Sequence, residues 1–434
     1  MAILAPLQLA MYLALFLFLY LPTITAATEK TCSHRDSNLA CYDSPSLHTK
    51  EKYYPEHLCS SSHEQCANHE DRQFPVDPRF QGVYTFPVKK LPRMNCFEPE
   101  AMKMIDNGLP VILENCSFAS SAYKWDLDYL DENLRDKGHI AYISKQRRFL
   151  YFDEDKMIDR YEDWKPPHKK MITYFHEFME LVKDLQKSNN GTLSYFQSPL
   201  YIIEGVSKSL VEDINSFDYP WLLDIVTRLG WGDKVINLLL IGMTDVVTPT
   251  HYDVLENFFV QIAGLKRVIL FSPEYFRCLY PYPVGHPHDR QSQVNFDEPD
   301  FERFPKFKEI EGLEAVVGPR DVLYIPTYWW HYVESEHNSM TVSLNFWFDP
   351  KNQTLGNQTS TSALSSSDSE QTAEEKDTLT EKELPKKIEI TPTQELALKR
   401  EIESIIHENT RDHEKVRRIL KEILSGRFDF LDAS

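Results

Sequence analysis

Glycine is scarce, with 14 in 434 residues, and none falls in G-x-G-x-x-G, G-x-x-x-x-G-K-[ST] or G-x-S-x-G. Dinucleotide-binding, P-loop and nucleophile-elbow chemistry therefore lack sequence support. No C-x-x-C and no H-E-x-x-H occurs, which removes the commonest redox and zinc signatures. Basic side chains are in deficit: 47 against 66 acidic ones gives 47 − 66 = −19 at pH 7. Neutralising phosphates needs clustered Lys and Arg, so nucleic acid is a poor partner. No internal repeat is visible. What remains is a chain 42% hydrophobic and 26% charged, able to bury a real core. Its length suits one large domain or two to three small ones.

Composition divides the chain into five stretches. Residues 1–27 hold an almost purely apolar run, Leu9 to Leu21, followed by Pro22-Thr-Ile-Thr-Ala-Ala27. This reads as a secretory signal cleaved after Ala26 or Ala27, although no Lys or Arg precedes the run. The alternatives are an uncleaved anchor, the one case in which a membrane would be a partner, or a misassigned first exon. Residues 28–80 are polar and carry Cys32, Cys41, Cys59 and Cys66, which in an oxidising lumen allow three disulfide pairings. The histidines among them match no zinc spacing. Cys96, Cys116 and Cys278 fall in segments that read as folded, where buried free thiols are expected. Asn115, Asn190, Asn352 and Asn357 head N-x-[ST] sequons, which matter only in the secretory pathway.

Residues 81–350 read as the folded domain. Leu109–Leu113 suggests a short strand, residues 170–187 an amphipathic helix, and Pro220–Leu229 a second helix. Strand-like segments follow at Asn237–Gly242, Asn257–Ile262, Lys266–Phe271, Val322–Ile325 and Met340–Phe348, with turns at Gly264 and at Gly318-Pro-Arg-Asp321. Residues 351–388 form an acidic, Ser/Thr-rich linker expected to be disordered. Residues 389–430 recover at Thr391-Pro392-Thr393-Gln394, a capping box with Pro at the first helical position. Two apolar-striped helices follow, which cannot bury their faces alone and need the main domain or another chain.

The chemically loaded stretch is Thr248-Pro249-Thr250-His251-Tyr252-Asp253. On a strand, His251 and Asp253 project to one face, because side chains alternate with period 2. An imidazole beside a carboxylate supplies two ligands of a facial metal site, and His331, after Tyr328-Trp329-Trp330, is the candidate third. Two His and one carboxylate leave positions open for cosubstrate and dioxygen, the arrangement of Fe(II) oxygenases. Alone, H-x-D is weak, since its ordinary reading is a hydrogen-bonded surface pair. Lys266, across the Gly264 turn, is the kind of cation that the distal carboxylate of 2-oxoglutarate requires. Its bland reading is an edge lysine laying its stem on apolar surface. Thr341, Ser343, Asn345 and Trp347 alternate with Val342, Leu344 and Phe346, which fits a barrel with a polar interior and an apolar outer face. His286-Pro-His288 has no carboxylate at ligand spacing and reads as a solvated loop.

On these residues the chain resembles the JmjC branch of the cupin superfamily. Several further motifs resemble the asparaginyl hydroxylases that act on hypoxia-inducible factor. They are Leu238-Leu-Leu-Ile-Gly-Met243, Leu279-Tyr-Pro-Tyr-Pro-Val284, Asp289-Arg-Gln-Ser-Gln293 and Asp321-Val-Leu-Tyr-Ile-Pro326. Tyr84-Thr-Phe-Pro87, Lys124-Trp-Asp-Leu-Asp128, Phe149-Leu-Tyr-Phe-Asp-Glu154 and the tail Gly426-Arg427-Phe428 extend the likeness. It covers residues 82–348 and 391–430.

The resemblance implies a mainly β fold with surrounding helices: a double-stranded β-helix (jelly roll) core plus a C-terminal helix pair that forms a homodimer. It implies Fe(II) held by His251, Asp253 and His331, with 2-oxoglutarate and O2 as cosubstrates. Lys266, Tyr195, Thr248, Asn257 and Asn345 would line the cosubstrate. A protein substrate with an exposed Asn segment would meet Tyr151, Gln197, Arg290, Gln291 and Trp347, with Arg290 and Gln291 reading the target amide. The implied activity is hydroxylation at Asn Cβ in a transactivation-type segment or ankyrin repeats. The open alternatives are another target (His, Asp or Lys hydroxylation, or histone demethylation), a non-catalytic binding module, and a zinc cupin isomerase. Relatives of this kind are cytosolic and nuclear, whereas the leader points to the ER lumen or secretion.

Overall fold

A computed structural model describes residues 77–157, 164–232, 234–350 and 390–424. The chain divides into two units, Met1–Ser60 and Ser61–Ser434. The first lies wholly outside the described residues, as do Cys66, the 351–388 linker with Asn352 and Asn357, and the tail from residue 425. The leader and N-terminal cysteine expectations concern those undescribed stretches. Among the described residues, no helix is long and apolar enough to cross a membrane.

In chain order the elements are strands β1 (Val88–Lys90) and β2 (Arg93–Asn95), helix α1 (Pro99–Asp106), β3 (Val111–Glu114), α2 (Leu127–Asn133), β4 (His139–Ser144) and β5 (Lys169–Thr173). Then come α3 (Phe175–Ser188), β6 (Leu193–Pro199), α4 (Lys208–Asn215), α5 (Tyr219–Leu229), β7 (Lys234–Gly242), β8 (Val247–Tyr252), β9 (Glu256–Ala263) and β10 (Lys266–Phe271). The last are β11 (Gly312–Val317), β12 (Val322–Ile325), β13 (Trp330–Ser335), β14 (Thr341–Phe348), α6 (Pro392–Thr410) and α7 (His413–Leu424).

The strands form two sheets, a five-stranded one ordered β1-β11-β10-β13-β8 and a nine-stranded one ordered β2-β3-β12-β9-β14-β7-β6-β4-β5. Val268, Leu270, Val317 and Val333 of the smaller sheet share one buried cluster with Ile112, Phe259, Leu323 and Ile325 of the larger. Apolar inner faces packed on each other are what a jelly roll requires, and the expected fold class holds.

The alternation in β14 has the predicted consequence. Ser343 meets Lys266 of the opposite sheet in the interior at 2.9 Å. On the other face Phe346 packs edge-on against Phe118 and Phe217 in the helical layer. Trp221 of α5 packs at a tilt against Phe118 and edge-on against Phe258 of β9. Both sides of the sheet are therefore covered, which is why β14 is buried along most of its length.

A buried ion network seals the end of β10. Glu334 accepts from Arg267 (2.5 Å) and Arg147 (2.6 Å), and from the backbone N–H groups of Gln81 and Gly82 at 3.1 and 2.9 Å. Both carboxylate oxygens are thus satisfied, as a dry charge demands. The network fastens the chain's entry segment onto the barrel.

Two sequence expectations need correction. Residues 170–187 are not helical throughout: Lys169–Thr173 pairs antiparallel with β4 from His139↔Thr173 to Ile143↔Lys169, and α3 starts only at Phe175. Glu177 reaches back to the Tyr174 N–H at 3.1 Å and sets that start. Cys96 and Cys116 are not free thiols. Parallel strands β2 and β3 end side by side, bringing the two Cα atoms to 5.3 Å, and the sulfurs are joined. Cys278 is the buried free thiol among the described residues.

Candidate metal centre

Strand β8 is at the edge of the smaller sheet, where Pro249, lacking an N–H, costs no central ladder bond. Its register with β13 places His251 directly opposite His331. The two imidazole centroids are 4.1 Å apart. Asp253 lies one residue beyond the end of β8, and its carboxylate still joins the pair. Ligand atoms of His251, Asp253 and His331 lie within 4.8 Å of one another.

The surroundings orient these side chains. His251 Nδ1 lies 2.9 Å from the Pro249 carbonyl, and His331 Nδ1 lies 3.0 Å from the Trp329 carbonyl. A ring nitrogen that donates to a backbone carbonyl leaves Nε2 as the lone-pair donor, the usual outer support of a metal-binding histidine. Asp253 Oδ2 accepts from the Trp347 indole at 3.0 Å, and Oδ1 lies 3.4 Å from Arg290 Nη1. Burial, reinforced by the neighbouring His331, holds His251 down to about 3. Burial likewise lowers His331. Burial opposes ionisation of Asp253, but the two imidazoles, Arg290 and the Trp347 N–H outweigh it and keep the carboxyl below its ordinary value. Two neutral imidazoles and a carboxylate are the protonation states that a divalent cation needs. The donor set fits iron.

Lys266 crosses the barrel interior. It is 1% exposed, its Nζ donates to Ser343 Oγ at 2.9 Å, and it lies 5.3 and 5.8 Å from the Phe259 and Tyr195 ring centroids. Burial alone pulls its amine down to about 7. No carboxylate ion pair is made with it among the described residues. Nearby strands contribute Asn257 Oδ1 and Asn345 Oδ1, buried oxygens without a hydrogen-bond partner. Tyr195 is hydrogen-bonded to Thr248, and burial raises its phenol. A cation lacking its anion, beside two orphaned amide oxygens, fits a small carboxylate-bearing cosubstrate.

The expected substrate residues separate. Tyr151 is 51% exposed. Arg290, with φ 68°, packs 5.9 Å from the Tyr151 ring centroid while facing Asp253. A non-glycine residue held at positive φ beside a candidate metal ligand is strain of the kind functional sites keep. Trp347 joins this group through Asp253, whereas Gln197 lies on β6, paired with Ile140 and Leu240. Gln291 is buried, and its amide donates to the Tyr151 carbonyl, so that donor is committed to holding the loop. His288 also corrects the solvated-loop reading: it is 6% exposed, with Nδ1 at 2.7 Å from the same carbonyl.

Arg400 went unmarked in the sequence. From α6 it makes two bonds to Asp289 (2.8 and 3.0 Å) and one to Tyr252 Oη (2.7 Å). Glu403 accepts from the Val284 N–H at 2.8 Å. The C-terminal helix therefore packs on the loop carrying Arg290 and on the residue between His251 and Asp253. A long-range contact of one arginine leaves no periodic trace in a sequence.

A family model described as "Cupin-like domain" matches residues 98–354. The chain is 31% identical to lysine-specific demethylase 8 of Danio rerio over 270 residues, 60% of this chain and 59% of that protein. It is 32% identical to HSPB1-associated protein 1 of Homo sapiens over 266 residues, 58% of this chain and 51% of the relative. It is 24% identical to tRNA wybutosine-synthesizing protein 5 of Gallus gallus over 266 residues, 58% of this chain and 77% of the relative. The chain thus spans less than two thirds of the first two.

Proposed function

The chain belongs to the cupin-like domain family, and on that premise we propose that it is an Fe(II)- and 2-oxoglutarate-dependent oxygenase hydroxylating a protein side chain, most concretely Asn at Cβ. The single observation carrying this reading is the convergence of His251, Asp253 and His331 donor atoms, with a buried Lys266 that meets no anion among the described residues. When bound, ferrous iron would supply the oxidising chemistry: 2-oxoglutarate and O2 become succinate and CO2, and one oxygen atom enters the substrate C–H bond.

The chain's own residues bind and orient. Lys266 and Ser343 would hold the distal carboxylate, with Asn257, Asn345, Tyr195 and Thr248 around it. Stripping that desolvated pair of the lysine should cost about 3–5 kcal/mol of cosubstrate binding. Trp347 and Arg290 keep Asp253 ionised and aimed. Arg290, beside Tyr151 and Asp253, would read the target amide, since its guanidinium can donate to an Asn carbonyl. The helices within 389–430 would also pair two copies, since Ile402 and Ile405 of α6 are exposed; sedimentation of the full chain tests this.

Purified protein with Fe(II), 2-oxoglutarate and an Asn-containing ankyrin-type or transactivation-type peptide should add the mass of one oxygen atom to Asn. The names of the demethylase relatives favour a second reading, removal of a methyl group from methyl-lysine. The same mass spectrum separates the two, as a gain of oxygen or a loss of methylene. Neither change, with iron bound and no succinate formed, refutes both.

A further inference from the structure

Three features unrelated to the metal centre point to one compartment. The first is the Cys96–Cys116 disulfide. It joins Cys96, the residue after β2, to Cys116, two residues beyond β3, and both cysteines are buried beside the Cys96 N–H bond to the Glu114 carbonyl (2.8 Å). Cytosolic thiols are kept reduced, whereas such bridges persist where the surroundings oxidise.

The second feature is the setting of the described sequons. Asn115-Cys116-Ser117 begins on an exposed turn with Asn115 at φ 59°, and the sequon's middle residue is itself half of the disulfide. Asn190-Gly191-Thr192 sits just past the end of α3, with Asn190 exposed. Asn190 Oδ1 accepts from the Thr192 N–H at 3.0 Å, an Asx turn made by an exposed side chain. A Cβ added at Gly191 would meet nothing within 4 Å. Both asparagines can thus carry a bulky hydrophilic group without repacking. The third feature is in the sequence alone: the apolar run Leu9–Leu21 with small residues after it.

We propose that this oxygenase works in the oxidising secretory compartment as a glycoprotein, with N-linked glycans on Asn115 and Asn190 and a closed Cys96–Cys116 bridge, and that its substrate is a luminal or extracellular polypeptide. The substrate clause rests on the hydroxylase reading; the modification clause does not. In the glycan transfer, a lipid-diphosphate-linked oligosaccharide loses its anomeric C–O bond to phosphate. A C–N bond forms to Asn Nδ2, which gives up a proton, and the lipid diphosphate leaves. In the thiol step, Cys96 and Cys116 surrender two electrons and two protons to a disulfide oxidant of that compartment.

The test expresses the full chain, leader included, in eukaryotic cells. Peptide mapping follows, with and without an N-glycosidase and with alkylation before any reductant. Glycosidase-sensitive modification is expected on Asn115 and on Asn190. Asn115→Gln and Asn190→Gln should each remove one step of the glycosidase-induced mobility shift, and the Cys96 and Cys116 peptides should emerge as one unit that alkylation leaves untouched. An unmodified Asn115 or Asn190 peptide, or free thiols on Cys96 and Cys116, overturns the proposal. If the glycans and bridge are present but no peptide gains oxygen, only the hydroxylase reading fails.

Discussion

Raising the pH from 6 to 9 should weaken 2-oxoglutarate binding through one lysine. Lys266 is buried at 1% exposure, with its amine pulled down to about 7 and no anion among the described residues to restore it. The cosubstrate's carboxylate needs the ammonium form. Below pH 7 the free protein already presents it, whereas above pH 7 binding must take up a proton. Each pH unit above 7 then costs about 1.4 kcal/mol, a loss of roughly tenfold at pH 8 and roughly a hundredfold at pH 9. His251 of the candidate metal centre, held to about 3, stays neutral over this window. Glu256 does titrate near it, raised by burial to about 7. Calorimetry in buffers of different ionisation enthalpy, anaerobic and with metal bound, reads both the affinity and the proton uptake. Lys266→Met is the control. It should bind weakly with little pH dependence, and it should fold more stably near pH 7. The wild-type amine is depressed below its unfolded value, so its burial penalty appears as pH falls from about 10 to 7 and persists below. An affinity constant within twofold from pH 6 to 9, or an unchanged slope in Lys266→Met, would refute the reasoning.

Glu334→Ala leaves Arg267 buried without its carboxylate and frees the 81–82 segment, so urea denaturation should show a loss of about 3–5 kcal/mol. Glu256 is bonded to Tyr324 Oη (2.8 Å) and the Thr327 N–H (3.1 Å), with its carboxyl raised to about 7 by burial. A raised acid contributes stability at low pH that is lost as pH rises towards 7. Glu256→Gln should therefore melt higher than wild type at pH 8 and lose that advantage at pH 5; equal melting temperatures at both would count against it. Arg400→Met removes the bonds to Asp289 and Tyr252, while Lys156 still pairs Asp289 at 2.9 Å. The cost should be about 1–3 kcal/mol, with α6 cleaved faster by protease, and intact protease resistance would contradict the docking.

The barrel strands were legible where the sequence carries period-2 or fully apolar runs: Asn237–Gly242, Asn257–Ile262, Lys266–Phe271 and Val322–Ile325 fall on observed strands, and Met340–Phe348 does so from Thr341 on. Strand β13 was harder, because Trp330–Ser335 is buried on both faces while reading as aromatic and charged residues mixed. Its polar members are spoken for: His331 turns to the metal centre, and Glu334 meets two arginines. Residues 170–173 read as the first turn of the 170–187 helix, yet pairing with β4 decides their conformation. The candidate pair His251 and Asp253 was legible from spacing, and the structure brings both beside His331. That Asp253 is held by Trp347 and Arg290 was not, since those contacts span 94 and 37 residues. The Cys96–Cys116 bridge likewise depends on the parallel register of β2 and β3, which spacing alone does not disclose.

The most direct test of the account is succinate formation from 2-oxoglutarate by the full-length protein under air with Fe(II), beside an Asp253→Ala variant of verified fold. The account predicts succinate equimolar with the oxygen consumed, none when iron is chelated, and none from Asp253→Ala. Succinate from the variant at the wild-type rate, or none from wild type with iron and cosubstrate bound, would contradict it.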